Sequence, residues 1–190
     1  MAISVKEKKW TRENIMELTR EEVFELWKQC PAAKMTELVG EFDGLIPNAG
    51  NEERKKLTEE FMYNENSRTG YWLGKAFWPL SKTKGDGYNR YRHPGSKIEN
   101  YMRFATEMGT SLIDRKPSLL MYYGAYRLRW IPEGQENTLI DEIRKLADGI
   151  YIGMGTTKMP NGSRSEPGHF VLVGPVGEYR RADNPTEELK

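Results

Sequence analysis

The side chains best suited to proton transfer lie in the second half of this sequence. His169 opens the apolar run HFVLVG, and a histidine in a strand can act as a general acid or base near neutral pH. A buried Glu142 with a raised pKa could abstract a proton from a carbon acid, and Tyr123 is a third acid or base. The alternatives are a structural hydrogen bond for His169 and an ion pair with Arg144 for Glu142. The three residues are catalytic candidates only if the protein is an enzyme.

A second set of residues has the character of a ligand-binding lining. In KIENYMRFATEMGTSLID, alternate residues from Ile98 to Met108 share one face, which predicts a half-buried antiparallel strand. Methionine is flexible and polarizable, and therefore suits a cavity that accommodates a ligand, although an ordinary filled core is the alternative. The predicted ligand-binding residues are Trp72, Met102, Phe104, Thr106, Met108, Met121, Met154 and Arg103.

Two segments place an aromatic residue between glycines, namely GEFDG at 40–44 and GYWLG at 70–74. Glycine weakens a strand, but it permits the tight bends and close strand crossings of a small closed barrel. The second segment continues as YWLGKAFW, whose alternation predicts a strand with Trp72, Gly74, Ala76 and Trp78 on one face.

Composition argues against several classes of partner and cofactor. The 29 Lys and Arg nearly balance the 28 Asp and Glu, and this net charge of +1 opposes nucleic acid or an anionic membrane as a partner. This outweighs the interleaved arginines and tyrosines of residues 88–103, which would otherwise suit a single-stranded nucleic acid. With one cysteine, two histidines and no phosphate- or dinucleotide-binding motif, we predict no cofactor and no metal. Neither a secretory signal nor a membrane-spanning run is visible, so we expect a cytoplasmic protein.

The order of elements predicts one mostly β domain over residues 1–190. Residues 11–30 are predicted to be helical, with Thr19 and Glu22 as a capping box and Pro31 as the end. Some seven to nine short strands follow within residues 36–176, which favours an antiparallel β-barrel, and residues 180–190 are predicted to be a loose tail. Periodicity leaves residues 138–148 open between strand and helix.

The segment ELWKQCPAAKMTELVGEFDGLIPNAGN resembles the GXWXG family, in its order of an amphipathic helix, a proline, a glycine-aromatic-glycine motif and a Pro-Gly loop. Phe42 stands where the family name has tryptophan. Later pieces, including GYWLGKAF and LIDEIRKLADGIYIGMGTTK, resemble the uncharacterised domain that commonly follows. The resemblance covers residues 22–174 and implies a lipocalin-like barrel in which LIDEIRKLAD is a strand.

A lipocalin-like barrel has a mouth and often a cavity, so the first functional expectation is a small, largely apolar metabolite bound inside. A cofactor-free isomerase, cyclase or lyase acting in the same cavity is the second hypothesis. A protein-interaction module that uses the N-terminal helix and Trp27 is the third. The sequence leaves the oligomeric state open.

Overall fold

Eight antiparallel strands form a closed barrel, in which each strand pairs with the next and the last returns to the first. The computed structural model describes residues 9–48, 50–127, 131–132 and 134–182. The strands are β1 Gly40–Leu45, β2 Tyr71–Pro79, β3 Lys84–His93, β4 Lys97–Thr110, β5 Pro117–Tyr122, β6 Ile140–Ala147, β7 Ile150–Thr156 and β8 Gly168–Gly177. The predicted mostly β, lipocalin-like antiparallel barrel with N-terminal helices is confirmed. Of the predicted loose tail, residues 183–190 lie outside the described residues.

Three α-helices accompany the barrel in the described part of the chain: α1 Arg12–Met16, α2 Arg20–Gln29 and α3 Glu52–Phe61. Helix α2 begins with the predicted capping box, because the Glu22 amide donates to Thr19 Oγ1 and the Thr19 amide donates to Glu22 Oε2. Its buried face, with Leu26 and Trp27, packs on the outer surface of β7 and β8. The helix therefore covers one side of the barrel wall.

Residues 138–148, left open by periodicity, contribute strand β6. It pairs with β5 on one side and β7 on the other. Asp141 and Ile143 point into the barrel, whereas Glu142 and Arg144 point outward and are nevertheless buried. Pairing on both edges outweighs the local helix propensity of this segment.

One end of the barrel is filled by the chain that connects α2 to β1. We call Ala33, Met35 and Leu38 the plug: all three are fully buried in the same apolar cluster as the inward side chains of the strands. The Ala33 amide donates to the Ile143 carbonyl oxygen (3.5 Å), and the Thr106 hydroxyl donates to Met35 Sδ (3.0 Å). This end is therefore a packed core.

A buried ion pair anchors the chain that leads into the plug. The guanidinium of Arg144 donates to both carboxylate oxygens of Asp114 (2.6 and 2.8 Å) and to the Trp27 carbonyl oxygen (3.3 Å), and it stacks on the Trp27 ring. On the same strand, the Lys145 amide donates to the Pro31 carbonyl oxygen. Helix α2, β6 and the turn at 111–116 are joined at this point.

A bulge in β2 breaks the alternation that the sequence predicts. Trp72 pairs with Tyr91 and Gly74 with Arg90, so two steps along β2 oppose one step along β3. Gly74 has φ +138°, and a Cβ there would lie 2.0 Å from the Phe42 carbonyl oxygen. The prediction of one continuous face is thus wrong: Trp72 points inward before the bulge, and Lys75 points inward after it.

A second bulge divides β4. Asn89 pairs with Tyr101 and Gly87 with Phe104, so three steps along β4 oppose two along β3. The predicted single face from Ile98 to Met108 is therefore also wrong. Tyr101 and Phe104 both belong to the interior, and Ile98 is exposed.

Candidate functional site

The other end of the barrel opens into a cavity of about 800 Å³ that reaches the surface. Its walls come mainly from aromatic and large apolar side chains: Trp72, Tyr91, Met102, Tyr123, Leu139 and Phe170. Ile46 at the end of β1, Leu57 and Phe61 of α3, and residues 165–168 surround its mouth. A largely apolar cavity of this size is typical of small-molecule sites.

The two glycine-aromatic-glycine segments meet inside this barrel. Gly44 of the first segment lies beneath the Trp72 ring of the second, and a Cβ at position 44 would lie 2.4 Å from Trp72 Cη2. The indole then packs edge-on against Phe170, with ring centroids 5.9 Å apart. The glycine in β1 therefore makes the space for the cavity's tryptophan.

The bottom of the cavity is polar and charged. We call Lys75, Asn89, Tyr123 and Asp141 the polar floor; all four are buried. The Lys75 ammonium donates to Asn89 Oδ1 (2.8 Å), to Asp141 Oδ2 (2.9 Å) and to the Tyr123 hydroxyl oxygen. Aromatic rings surround this cation, and Nζ lies 5.0 Å from the ring centroid of Phe170. The ion pair is compensated by hydrogen bonds and by ring faces.

Asn89 and Tyr123 complete the hydrogen bonds of the floor. The Trp72 indole N–H donates to Asn89 Oδ1 (3.0 Å), while the Asn89 amide nitrogen donates to the Tyr123 hydroxyl oxygen and to the Met102 carbonyl oxygen (3.1 Å each). The Tyr123 hydroxyl donates to Asp141 Oδ2 (2.9 Å). The two donors that meet Asn89 Oδ1 fix the orientation of this amide.

Burial shifts the two titratable groups beside Asp141 in opposite directions. It raises the pKa of Tyr123 well above its ordinary value, and the nearby Asp141 carboxylate raises it further. Burial lowers the pKa of Lys75, and Asp141 opposes this shift. Tyr123 consequently keeps its proton at neutral pH and acts as a hydrogen-bond donor.

The structure separates the three residues predicted for acid–base chemistry. Tyr123 lies in the polar floor. His169 is at the cavity rim, with Nε2 2.6 Å from the Pro47 carbonyl oxygen, and burial lowers its pKa. Glu142 is buried on the outer face, where burial raises its pKa and its Oε1 accepts from the Leu112 amide (2.8 Å). His169 and Glu142 therefore lie outside the polar floor, and their catalytic roles stay predictions.

The residues predicted to bind a ligand also fall into different places. Trp72 and Met102 line the cavity, and Phe104 lies next to Lys75, 5.4 Å from its Nζ. The filled end of the barrel holds Thr106, Met108 and Met121. Met154 packs under α2 on the outer surface, and Arg103 lies outside on Asp86 and Tyr126. Their ligand-binding role stays a prediction.

Sequence reasoning missed Lys75, Asn89 and Asp141 as site residues. Alternation from Trp72 assigned Lys75 to the outer face, and the bulge at Gly74 reverses that assignment. Asn89 lies between Tyr88 and Arg90, and only such arginines and tyrosines of this strand were considered as binding residues. Asp141 was considered only together with its neighbour Glu142. The one available signal was Gly74, since a glycine inside a strand often marks a bulge.

The described residues contain neither a group of three His, Cys, Asp or Glu side chains able to hold a metal ion nor a helix long and apolar enough to cross a membrane.

Fold and cavity together define a closed eight-stranded antiparallel barrel with a ligand-sized interior site. A crystal structure of a protein from Thermomonospora curvata has a similar fold, with a TM-score of 0.52 and 18% identity over 84% of this chain and 89% of that one. At this identity the likeness shows the fold alone. No family model and no curated protein matches the sequence, and the GXWXG resemblance stays a prediction.

Proposed function

We propose that this protein binds a small, largely apolar metabolite in the barrel cavity. The observation that carries the proposal is the contrast within one barrel between a packed end and an end that opens into a cavity of about 800 Å³. A cavity of this size lowers packing inside the barrel, because protein interiors are otherwise close-packed. A retained cavity is therefore a feature to be explained by an occupant.

The chemistry of the lining supports an apolar occupant. Aromatic side chains such as Trp72 and Phe170 offer large apolar faces, and Met102 adds a flexible one. The exposed apolar side chains of Leu57 and Phe61, on α3, continue this surface to the mouth. An apolar molecule would meet compatible surface from the mouth down to the walls above the polar floor.

Nile red, an uncharged dye that fluoresces in apolar surroundings, tests the proposal directly. We expect saturable binding at one site per chain. Leu139→Trp places a bulky ring in the lining and should weaken dye binding by at least about tenfold, since it removes space that the dye needs. Leu80→Trp makes the same substitution at an exposed position and should leave the affinity unchanged. Saturable binding that both variants retain in full would contradict the proposal, as would no binding at all.

A second candidate is a cofactor-free isomerase, cyclase or lyase that works on such a molecule in the same cavity. The observation that favours it is the Tyr123 hydroxyl at the cavity floor, which accepts from Lys75 and donates to Asp141. A substrate that displaced the contact with Asp141 could take this proton and leave a tyrosinate beside the Lys75 ammonium. Native mass spectrometry of the protein from its own host would identify a bound molecule. Wild-type protein should convert that molecule, and Tyr123→Phe should bind it without converting it. Equal turnover by both would exclude Tyr123 as the acid.

A further inference from the structure

The polar floor uses all of its own hydrogen-bond donors. Lys75 has three N–H groups and three acceptors, namely Asn89 Oδ1, Asp141 Oδ2 and the Tyr123 hydroxyl oxygen. Both N–H groups of Asn89, the Tyr123 O–H and the Trp72 indole N–H are also donated to protein acceptors. Within the described part of the chain, every side-chain donor that faces the floor is therefore used, and none is left for a ligand. These donors belong to Lys75, Asn89, Tyr123 and Trp72.

One acceptor of the floor remains open. Asp141 Oδ2 receives the hydrogen bonds of Lys75 and Tyr123, whereas Asp141 Oδ1 accepts none from the residues that the structure describes. The side chain is 7% exposed and borders the cavity. Oδ1 is accessible from the cavity, and a hydrogen bond that a ligand donates to this carboxylate oxygen is charge-assisted and therefore strong.

Glycine on the opposite strand lets this oxygen lie at the cavity wall. Gly155 of β7 pairs with Asp141, lines the cavity, and has no side chain to cover Oδ1. A Cβ at position 155 would lie 2.6 Å from Oδ1, which is closer than contact allows, so the carboxylate occupies the space that a side chain would need. Glycine at position 155 therefore keeps Oδ1 uncovered at the cavity wall.

Charge limits which chemical group of a ligand can donate to Asp141 Oδ1. A carboxylate would find no donor in the floor and would face Asp141. An ammonium group would approach the positive charge of Lys75, which is bound to the other oxygen of the same carboxylate. An uncharged hydroxyl avoids both difficulties and supplies the missing donor.

We propose, on the basis of the proposed function, that the cavity takes an apolar alcohol or phenol whose hydroxyl group donates to Asp141 Oδ1 from the cavity. The polar floor then makes binding selective for ligands that carry a hydroxyl group at their inner end. The aromatic walls bind the rest of the molecule.

Three naphthalenes of similar size separate the alternatives when each competes with Nile red. 2-Naphthol carries a donor and is uncharged at neutral pH, 2-methoxynaphthalene lacks the donor, and 2-naphthoate is an anion. We expect 2-naphthol to compete about tenfold better than its methyl ether, as one hydrogen bond to a carboxylate predicts, and naphthoate to compete worst.

Two glycine variants on paired strand positions sharpen the experiment. Gly155→Ala should abolish the preference for 2-naphthol while Nile red and the methyl ether still bind, because its methyl group would collide with Oδ1 and displace this acceptor from the cavity wall. Gly168→Ala is the matched control: Gly168 pairs with Gly155, and the nearest atom to its added Cβ would be the Gly155 carbonyl oxygen at 3.9 Å. It should keep the preference.

The outcomes distinguish this inference from the proposed function. Three results would overturn the hydroxyl inference: equal competition by 2-naphthol and its methyl ether, stronger competition by naphthoate, or an unchanged preference in Gly155→Ala. The proposed function would still stand in each case if Nile red binds. Failure of Nile red itself to bind would overturn both.

Discussion

The two ends of the barrel interior are built from similar side chains and packed in opposite ways. At the plugged end, Met35 and Leu38 are completely buried among inward aromatic and aliphatic residues. At the other end, Trp72 and Phe170 line the cavity above a buried ion pair. One end therefore supplies close packing, which stabilises the fold, and the other gives up packing for a site.

The difference between the two ends shows that a small barrel can hold a buried ion pair where polar groups and aromatic rings surround it. Lys75 and Asp141 are as deeply placed as the apolar core, yet each has polar partners, and aromatic rings face the cation. A buried ion pair contributes little net stability compared with apolar packing, whereas removal of one partner leaves an uncompensated charge. The site is thus predicted to be costly to disrupt although it is not the main source of stability.

The largest expected effect comes from breaking the floor pair. Lys75→Met leaves the Asp141 carboxylate buried without its cation and should lower the free energy of unfolding by about 3–5 kcal/mol. Urea denaturation measures it. Lys84→Met, which removes an exposed partner of Glu107, is the control and should change stability by less than about 1 kcal/mol. If Lys75→Met unfolds at the wild-type urea concentration, the polar floor does not hold a compensated charge.

A smaller loss of stability should follow from truncating a side chain of the plug. Met35→Ala removes a completely buried side chain, together with the acceptor of the Thr106 hydroxyl, and should cost about 3 kcal/mol. Leu139→Ala trims a side chain that already borders the cavity, so its cost should be clearly lower. Equal losses in urea denaturation would mean that the two ends do not differ in packing.

The smallest effect concerns the pH dependence of stability that the ion pair between Arg144 and Asp114 contributes. Hydrogen bonds from Arg144 lower the pKa of Asp114 from 3.8 to about 2. A lowered folded-state pKa stabilises the protein above the unfolded pKa, and this contribution, about 2 kcal/mol, is lost as the pH falls from about 4 to 2.

Asp114→Asn should therefore flatten the acid limb of the stability curve over that interval. Asp148→Asn, at a fully exposed position, is the control and should leave the limb nearly unchanged. A wild-type slope in Asp114→Asn would show that the anchor does not contribute to acid unfolding.

Local rules predicted those parts of the fold that local interactions determine. The capping box of α2 joins residues three apart, so Thr19 and Glu22 identify the helix start without any tertiary information. Alternation likewise identified β4 as a strand. Strand β6 could not be assigned in this way, since its pairing with β5 and β7 overrides its local propensity.

The candidate site was only partly predictable, because strand registers decide it. Tyr123 and Trp72 could be selected by residue type, and both line the cavity. Lys75 could not, because period two places it outside unless the bulge at Gly74 is known. Nor does the sequence show that Met35 fills one end while the other end stays open, since that depends on where a connecting segment crosses the barrel.

The bulge at Gly74 also has a consequence for how such a barrel can change over evolution. A single extra residue in β2 turns the lysine inward, and its removal would turn the following residues to the opposite side. The same amino acids in the same order, one position shorter, would then enclose a wholly different interior. Length variation within one strand could thus change what a barrel of this kind recognises more abruptly than any substitution in its lining.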